Sequence, residues 1–194
     1  MMRQQKKIND YCWGKNSEQS LVFGCKIPRH FYVVKGCGES DISHHTGSFH
    51  RALKDAGIER HNIITYSSVL PQEAEQVAKP NYYHHGSVME TIMARMDVEK
   101  GERATAGLIY GWFYDRTRGE KRDGYVCEYM GKDSVKDAKG RLECMIQELL
   151  EVDPLSQRYD FKSKIVTKSF IPKKKYGTAL AAICFMDYIY PLVK

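Results

Sequence analysis

The sequence predicts a layered α/β (α+β) sandwich. Three observations carry the prediction. Strand-like segments outnumber helical ones. The two kinds do not alternate as a doubly wound sheet requires. The 194 residues, 42% of them hydrophobic, suffice for one domain with a sizeable core. Residues 1–30 read as a loosely structured leader, basic at first, with a short apolar patch at Leu21-Val22-Phe23. The globular part then runs from 31 to 194.

Phe31-Tyr32-Val33-Val34 reads as a strand. Gly36-Cys37-Gly38-Glu39-Ser40-Asp41 reads as a loop. It starts like a dinucleotide fingerprint, but Asp41 stands where the third glycine belongs and no βαβ unit surrounds it. Residues 49–56 predict a short helix with Phe49, Ala52, Leu53 and Ala56 on one face and Gly57 as its stop. Residues 62–66 predict a strand that runs directly into Ser67-Ser68. Further strand-like segments cover 88–93, 106–114 and 125–129. The clearest helix follows Ser134, which with Asp137 makes a capping box. Val135, Ala138, Leu142, Met145, Ile146 and Leu149 recur there at spacings of three and four. Residues 164–170 and 180–190 supply two more strands.

Composition narrows the function classes. The net charge of +6 is spread out, and the tight runs Lys6-Lys7 and Lys173-Lys174-Lys175 read as solvated surface rather than a nucleic-acid site. Six cysteines, at 12, 25, 37, 127, 144 and 184, form no CxxC pair suited to zinc. Cys127 and Cys184 sit in apolar runs and read as core residues. His44-His45 and His84-His85 are adjacent pairs without a carboxylate motif, so packing or surface roles are expected and no metal site. Trp112-Phe113-Tyr114 reads as strand core or a subunit contact, since no basic interleaving accompanies it. Residues 1–12 lack the apolar stretch of a secretory signal, and no apolar run approaches the ~18 residues that span a bilayer. A cytoplasmic protein with reduced thiols, bound to neither membrane nor nucleic acid, is expected.

The serine pair permits unusual chemistry. In a constrained turn the Ser68 hydroxyl can attack the Ser67 carbonyl and convert the amide to an ester. β-Elimination then releases Ser67 as a carboxylate and leaves dehydroalanine at 68, which tautomerises and loses ammonia to give a pyruvoyl group. Its ketone condenses with an amine and takes up the electron pair left by departing carbon dioxide, the role a pyridoxal phosphate would otherwise play. The reaction needs a donor to polarise the scissile carbonyl, a turn held off its relaxed geometry and an acid to reprotonate the substrate carbon. A Ser-Ser dipeptide alone is weak, because a loop after a strand reads the same way.

Its surroundings are more specific. The segment Phe49-His50-Arg51-Ala52-Leu53-Lys54-Asp55-Ala56-Gly57-Ile58, then Asn62-Ile63-Ile64, then Ser67-Ser68-Val69-Leu70-Pro71-Gln72-Glu73-Ala74-Glu75, resembles the pyruvoyl-dependent arginine decarboxylases. Gly38-Glu39-Ser40-Asp41 and residues 85–94 look like the branch typified by the chlamydial enzyme. Glu128-Tyr129 and the small residues 176–182 resemble two of the family's strands. The likeness covers about 31–187 and leaves out the leader.

The resemblance implies a four-layer αββα sandwich, self-cleaved between 67 and 68, and a homotrimer with active sites between subunits that can pair into a dimer of trimers. It implies that Ser68 becomes the pyruvoyl group, with no PLP, and that Ser67 supplies the scissile carbonyl. Asn62 would polarise that carbonyl, Glu128 would protonate the substrate carbon, and Leu53 and Val69 would line the substrate's aliphatic stem. The activity implied is an α-decarboxylation, L-arginine to agmatine and carbon dioxide. One departure stands out. The family has Asp at the position of His50, where it pairs with a guanidinium, and an imidazole cannot reproduce that bidentate contact. Either Glu39 or Asp41 supplies the acidic contact, or the substrate is another amino acid, acidic or neutral, read by His50 and Arg51. A relative that keeps the fold without processing is the remaining alternative.

Overall fold

Two sheets lie face to face, with a helix on each outer face. The computed structural model describes residues 24–81 and 84–192; Lys6-Lys7, Cys12, the Leu21–Phe23 patch and most of the predicted leader lie outside them. Chain contacts divide the protein into a main unit, Pro28–Tyr188, and a small one. In the small unit, Gly24 N–H donates to the Pro191 carbonyl at 2.7 Å.

The strands are β1 (Ile27–Pro28), β2 (His30–Ser40), β3 (Asn62–Thr65), β4 (Val69–Leu70), β5 (Glu75–Gln76), β6 (Val88–Glu99), β7 (Ala104–Asp115), β8 (Lys121–Gly131), β9 (Tyr159–Phe170), β10 (Tyr176–Phe185) and β11 (Tyr188–Ile189). The helices are α1 (His50–Ala56) and α2 (Val135–Val152). One sheet has the order β3-β6-β10-β2-β5 and the other β4-β8-β7-β9, while β1 pairs with β11. β10 runs antiparallel to both β2 and β6, and β3 joins β6 in parallel.

Strand alternation assigns each side chain to a layer. Phe31, Ile92, Ala94, Leu108, Val126, Ala181 and Ile183 belong to the cluster shared by the two sheets. Tyr32, Val34, Met89 and Leu180 pack with Ala52, Leu53 and Ala56 of α1. Ile109, Cys127 and Tyr129 pack with Ala138, Leu142 and Ile146 of α2. The resulting order of layers is helix, sheet, sheet, helix.

The start of α2 and the end of α1 are as the sequence predicts. Ser134 Oγ accepts the Asp137 N–H at the start of α2. Gly57 takes φ 67° and its N–H returns to the carbonyls of Leu53 and Lys54. A π-helical turn, His44–Phe49, leads into α1, and the helical pattern did not anticipate it. The expected loop at 36–41 is instead the second half of β2 up to Ser40. The glycines there serve close approach rather than turning: a Cβ on Gly36 would lie 2.2 Å from the Ala52 carbonyl oxygen, and one on Gly38 2.4 Å from the Ala52 nitrogen. The expected strand at 180–190 is also divided. β10 ends at Phe185, and Asp187 turns to accept the His30 N–H at 3.0 Å.

Buried thiols behave as anticipated: burial pushes the Cys127 thiol up to about 11 and the Cys184 thiol up to about 12. Trp112 and Phe113 lie in the core of β7. Among the described residues no helix is long and apolar enough to cross a membrane.

Candidate active site

β3 belongs to one sheet and β4 to the other, so Tyr66-Ser67-Ser68 is the crossing between them. Each end of the crossing is fixed. Upstream, Tyr66 N–H donates to the Thr91 carbonyl of β6 at 2.7 Å. Downstream, Val126 N–H of β8 donates to the Ser68 carbonyl at 3.0 Å, and Val69 pairs with Tyr125. Beyond β4, Trp112 Nε1–H donates to the Pro71 carbonyl at 3.1 Å and Lys121 Nζ to the Ala74 carbonyl at 2.7 Å.

The pairing at Val126 also aligns the side chains. Val126 faces the space between the sheets, whereas Cys127 and Tyr129 face α2. Glu128 therefore shares the inter-sheet face with Val126. The Ser68 hydroxyl lies 2.6 Å from Glu128 Oε1 and 2.8 Å from Oε2. Among the described residues no lysine or arginine forms an ion pair with Glu128. The carboxylate accepts from Ser68, and a short hydroxyl–carboxylate bond of this kind is a charge-assisted one.

The turn itself is tight. Val69 N–H donates to the Ser67 carbonyl at 3.1 Å, which closes a three-residue γ-turn around Ser68. No described non-glycine residue has positive φ, so the turn is of the inverse kind, and the strain expected there does not take the form of a left-handed residue. Burial first, then hydrogen bonds with Glu90 and with Tyr66, the residue before Ser67, push the Tyr188 hydroxyl's pKa up.

Of the remaining expected residues, Val69 adjoins the serine pair, while Asn62, Leu53, Glu39, Asp41 and His50 lie in or beside other elements. Asn62 opens β3, is exposed, and donates Nδ2–H to the Gly86 carbonyl at 2.8 Å. Four residues of chain lie between it and Ser67. Leu53 is 8% exposed and packs beneath α1. Val69 is 60% exposed beside the serine pair. Glu39 accepts the Lys173 and Lys174 N–H groups, at 2.7 and 3.3 Å, and Asp41 accepts the Lys175 N–H at 3.2 Å. Both carboxylates thus hold the β9–β10 connection. His50 is exposed at the start of α1, on a cavity of about 390 Å³ that Arg51, Lys54, Ser43 and Thr46 also line. The sequence does not single out the Val69 amide, the Val126 anchor or Tyr188. Main-chain donors leave no residue signature, and Tyr188 lies far along the chain.

A pyruvoyl group formed from Ser68 fits what surrounds it. Its carbonyl anchor on β8 and the carboxylate two residues further along that strand are both in place. Two sheets joined by a serine pair, with a carboxylate on the second hydroxyl, form an αββα sandwich with the groups that the self-cleavage chemistry needs at its crossing. Residues 30–190 match the family model described as pyruvoyl-dependent arginine decarboxylase, and the chain belongs to that family. The pyruvoyl-dependent arginine decarboxylases AaxB of Chlamydia abortus and Chlamydia muridarum are each 30% identical to it over 192 residues, covering 87% of this chain and 95% of each relative. The pyruvoyl-dependent arginine decarboxylase of Methanococcoides burtonii is 35% identical over 86 residues, 43% of this chain and 47% of that relative.

Proposed function

We propose that the protein cuts itself between Ser67 and Ser68 and then decarboxylates an amino acid at the α-carbon, with L-arginine the first substrate to test. The observation that carries this reading is the Ser68 hydroxyl held on both oxygens of Glu128, at 2.6 and 2.8 Å. Glu128 takes the hydroxyl proton as Ser68 Oγ bonds to the Ser67 carbonyl carbon, and returns it to the Ser68 nitrogen as the carbon–nitrogen bond breaks. Loss of the Ser68 α-proton then breaks the Cβ–Oγ bond and frees the Ser67 carboxylate. One water enters and ammonia leaves as position 68 becomes the ketone. When present, that group supplies an electron sink for decarboxylation. Glu128 stays beside it as the acid that delivers a proton to the substrate carbon.

Within the protomer Asn62 is bonded to Gly86, Leu53 is packed between α1 and its sheet and His50 lines a separate cavity, so we assign their contacts with this site to a neighbouring copy. A homotrimer with sites between subunits, with a dimer of trimers as the larger form, meets that need. Intact-mass measurement tests the reading: chains of 67 and 127 (194 − 67) residues are expected, the larger with a blocked N-terminus. A single uncut, inactive chain refutes it in favour of a non-catalytic relative.

A second reading concerns the substrate alone. The cavity beside His50 is lined by Arg51 and Lys54 and by no carboxylate, and Glu39 and Asp41 are engaged with backbone amides. This favours an acidic or neutral amino acid. A panel that follows carbon dioxide release separates the two: turnover of another amino acid without turnover of arginine selects the second.

A further inference from the structure

The polarising donor for self-cleavage is the group that the sequence assigns least well. Attack by Ser68 Oγ turns the Ser67 carbonyl oxygen into an oxyanion, and a donor must already point at that oxygen. Asn62 does not, since its amide is given to Gly86. The Val69 N–H does, at 3.1 Å. We infer that the Val69 main-chain amide is the oxyanion donor of the cleavage reaction, a catalytic group supplied by the same γ-turn that presents the nucleophile.

The geometry gives this donor three properties. It belongs to the residue after the nucleophile, so folding the turn brings nucleophile and donor together in one step. Val126 N–H fixes the Ser68 carbonyl at 3.0 Å, which holds the peptide plane that carries the Val69 nitrogen. Glu128 holds the Ser68 hydroxyl from the same strand as Val126. Base, nucleophile, scissile carbonyl and donor therefore form one unit within a single protomer. The atoms balance. The Ser68 proton moves to Glu128, Oγ bonds to the Ser67 carbon, and negative charge gathers on the Ser67 oxygen facing the Val69 N–H. The carbon–nitrogen bond then breaks, and the proton returns to the Ser68 nitrogen.

This inference rests on the self-cleavage proposed above, and its test distinguishes the two. The full-length chain is made with α-hydroxyisovaleric acid at position 69, which exchanges that one N–H for an ester oxygen and keeps the isopropyl side chain. Cutting is followed by intact mass beside the valine chain. Loss of one oxyanion donor costs about 10²–10³-fold in rate, and a fall of that size in a chain that keeps its far-UV signature is the expected result. The mass also separates cutting after 67 from hydrolysis of the new ester after 68. Asn62→Ala is expected to slow cutting less than the ester does. If the ester chain cuts at the wild-type rate, or if Asn62→Ala blocks cutting while the ester does not, the Val69 assignment is overturned and self-cleavage stands. If the valine chain itself stays whole, self-cleavage falls and the assignment falls with it.

Discussion

Glu128→Gln is the most direct perturbation of the cleavage machinery. The wild-type carboxylate accepts the Ser68 hydroxyl at 2.6 and 2.8 Å. Glutamine has nearly the same shape but one acceptor oxygen, no charge, and no means of holding the transferred proton. A hydrogen bond to a charged group is worth about 1.5–3 kcal/mol, which alone corresponds to roughly 10–150-fold at about 1.36 kcal/mol per factor of ten. Proton transfer by a positioned base adds its own contribution, about 10²–10⁴-fold. These overlap because they are properties of one carboxylate, so the expected slowing is about 10²-fold or more rather than their product. The assay is a time course of the 67- and 127-residue chains by intact mass, with the melting temperature as a control. Glu128 is half-buried and makes no ion pair among the described residues, so the fold should survive the change. Cutting by Glu128→Gln with the wild-type half-life would refute the role of the carboxylate.

Other predictions concern the scaffold. Gly36→Ala places a Cβ 2.2 Å from the Ala52 oxygen and 2.8 Å from the Ala56 nitrogen, both backbone atoms, so α1 must shift. Overpacking of this kind costs about 1–3 kcal/mol and should lower the melting temperature by several degrees; an unchanged value contradicts the packing described. Asp115 accepts the Thr117 hydroxyl at 2.6 Å and the N–H groups of Thr117 and Arg118 at 2.8 and 2.9 Å, which hold its pKa at about 2 instead of 3.8. The folded value is the lower one, so the stabilisation is present above the unfolded pKa and is lost as pH falls through about 2. Asp115→Asn should therefore melt below wild type at pH 6, and the gap should close toward pH 2. In the folded protein at pH 8, Cys144 should be alkylated by iodoacetamide while Cys127 and Cys184 are spared, because the latter are buried and their thiolates disfavoured.

Much of the fold could be read locally. α1 and α2 are legible because apolar spacing, the Ser134 cap and the Gly57 stop all act within a few residues. The second half of β2 was not. Gly36 and Gly38 look like loop residues, and only the helix packed on them explains why a strand needs them there. Glu39 and Asp41 were legible as acidic groups but not as partners of amides more than 130 residues away. The site shows the same division. Residue chemistry points to Ser67 and Ser68, the family resemblance adds Glu128, and the family match covers all three. The contact between Ser68 and Glu128 spans sixty residues and depends on the register of β4 on β8. The Val69 amide could not be read at all, since every residue except proline carries the same group.

The crossing between the sheets has a thermodynamic consequence as well. Before Ser67, β2 and β3 both belong to the five-stranded sheet, while the whole four-stranded sheet comes after it. A cut at this point leaves the shorter polypeptide with β2 inserted between β10 and β5 of the longer one, ten residues of it in register with β10. The uncut chain refolds by a first-order process. The cut molecule is a heterodimer whose halves must find each other, so its melting point should rise with protein concentration where that of the uncut chain does not. If the bond is cut as proposed, the ladder between β2 and β10 is what would hold the two polypeptides together.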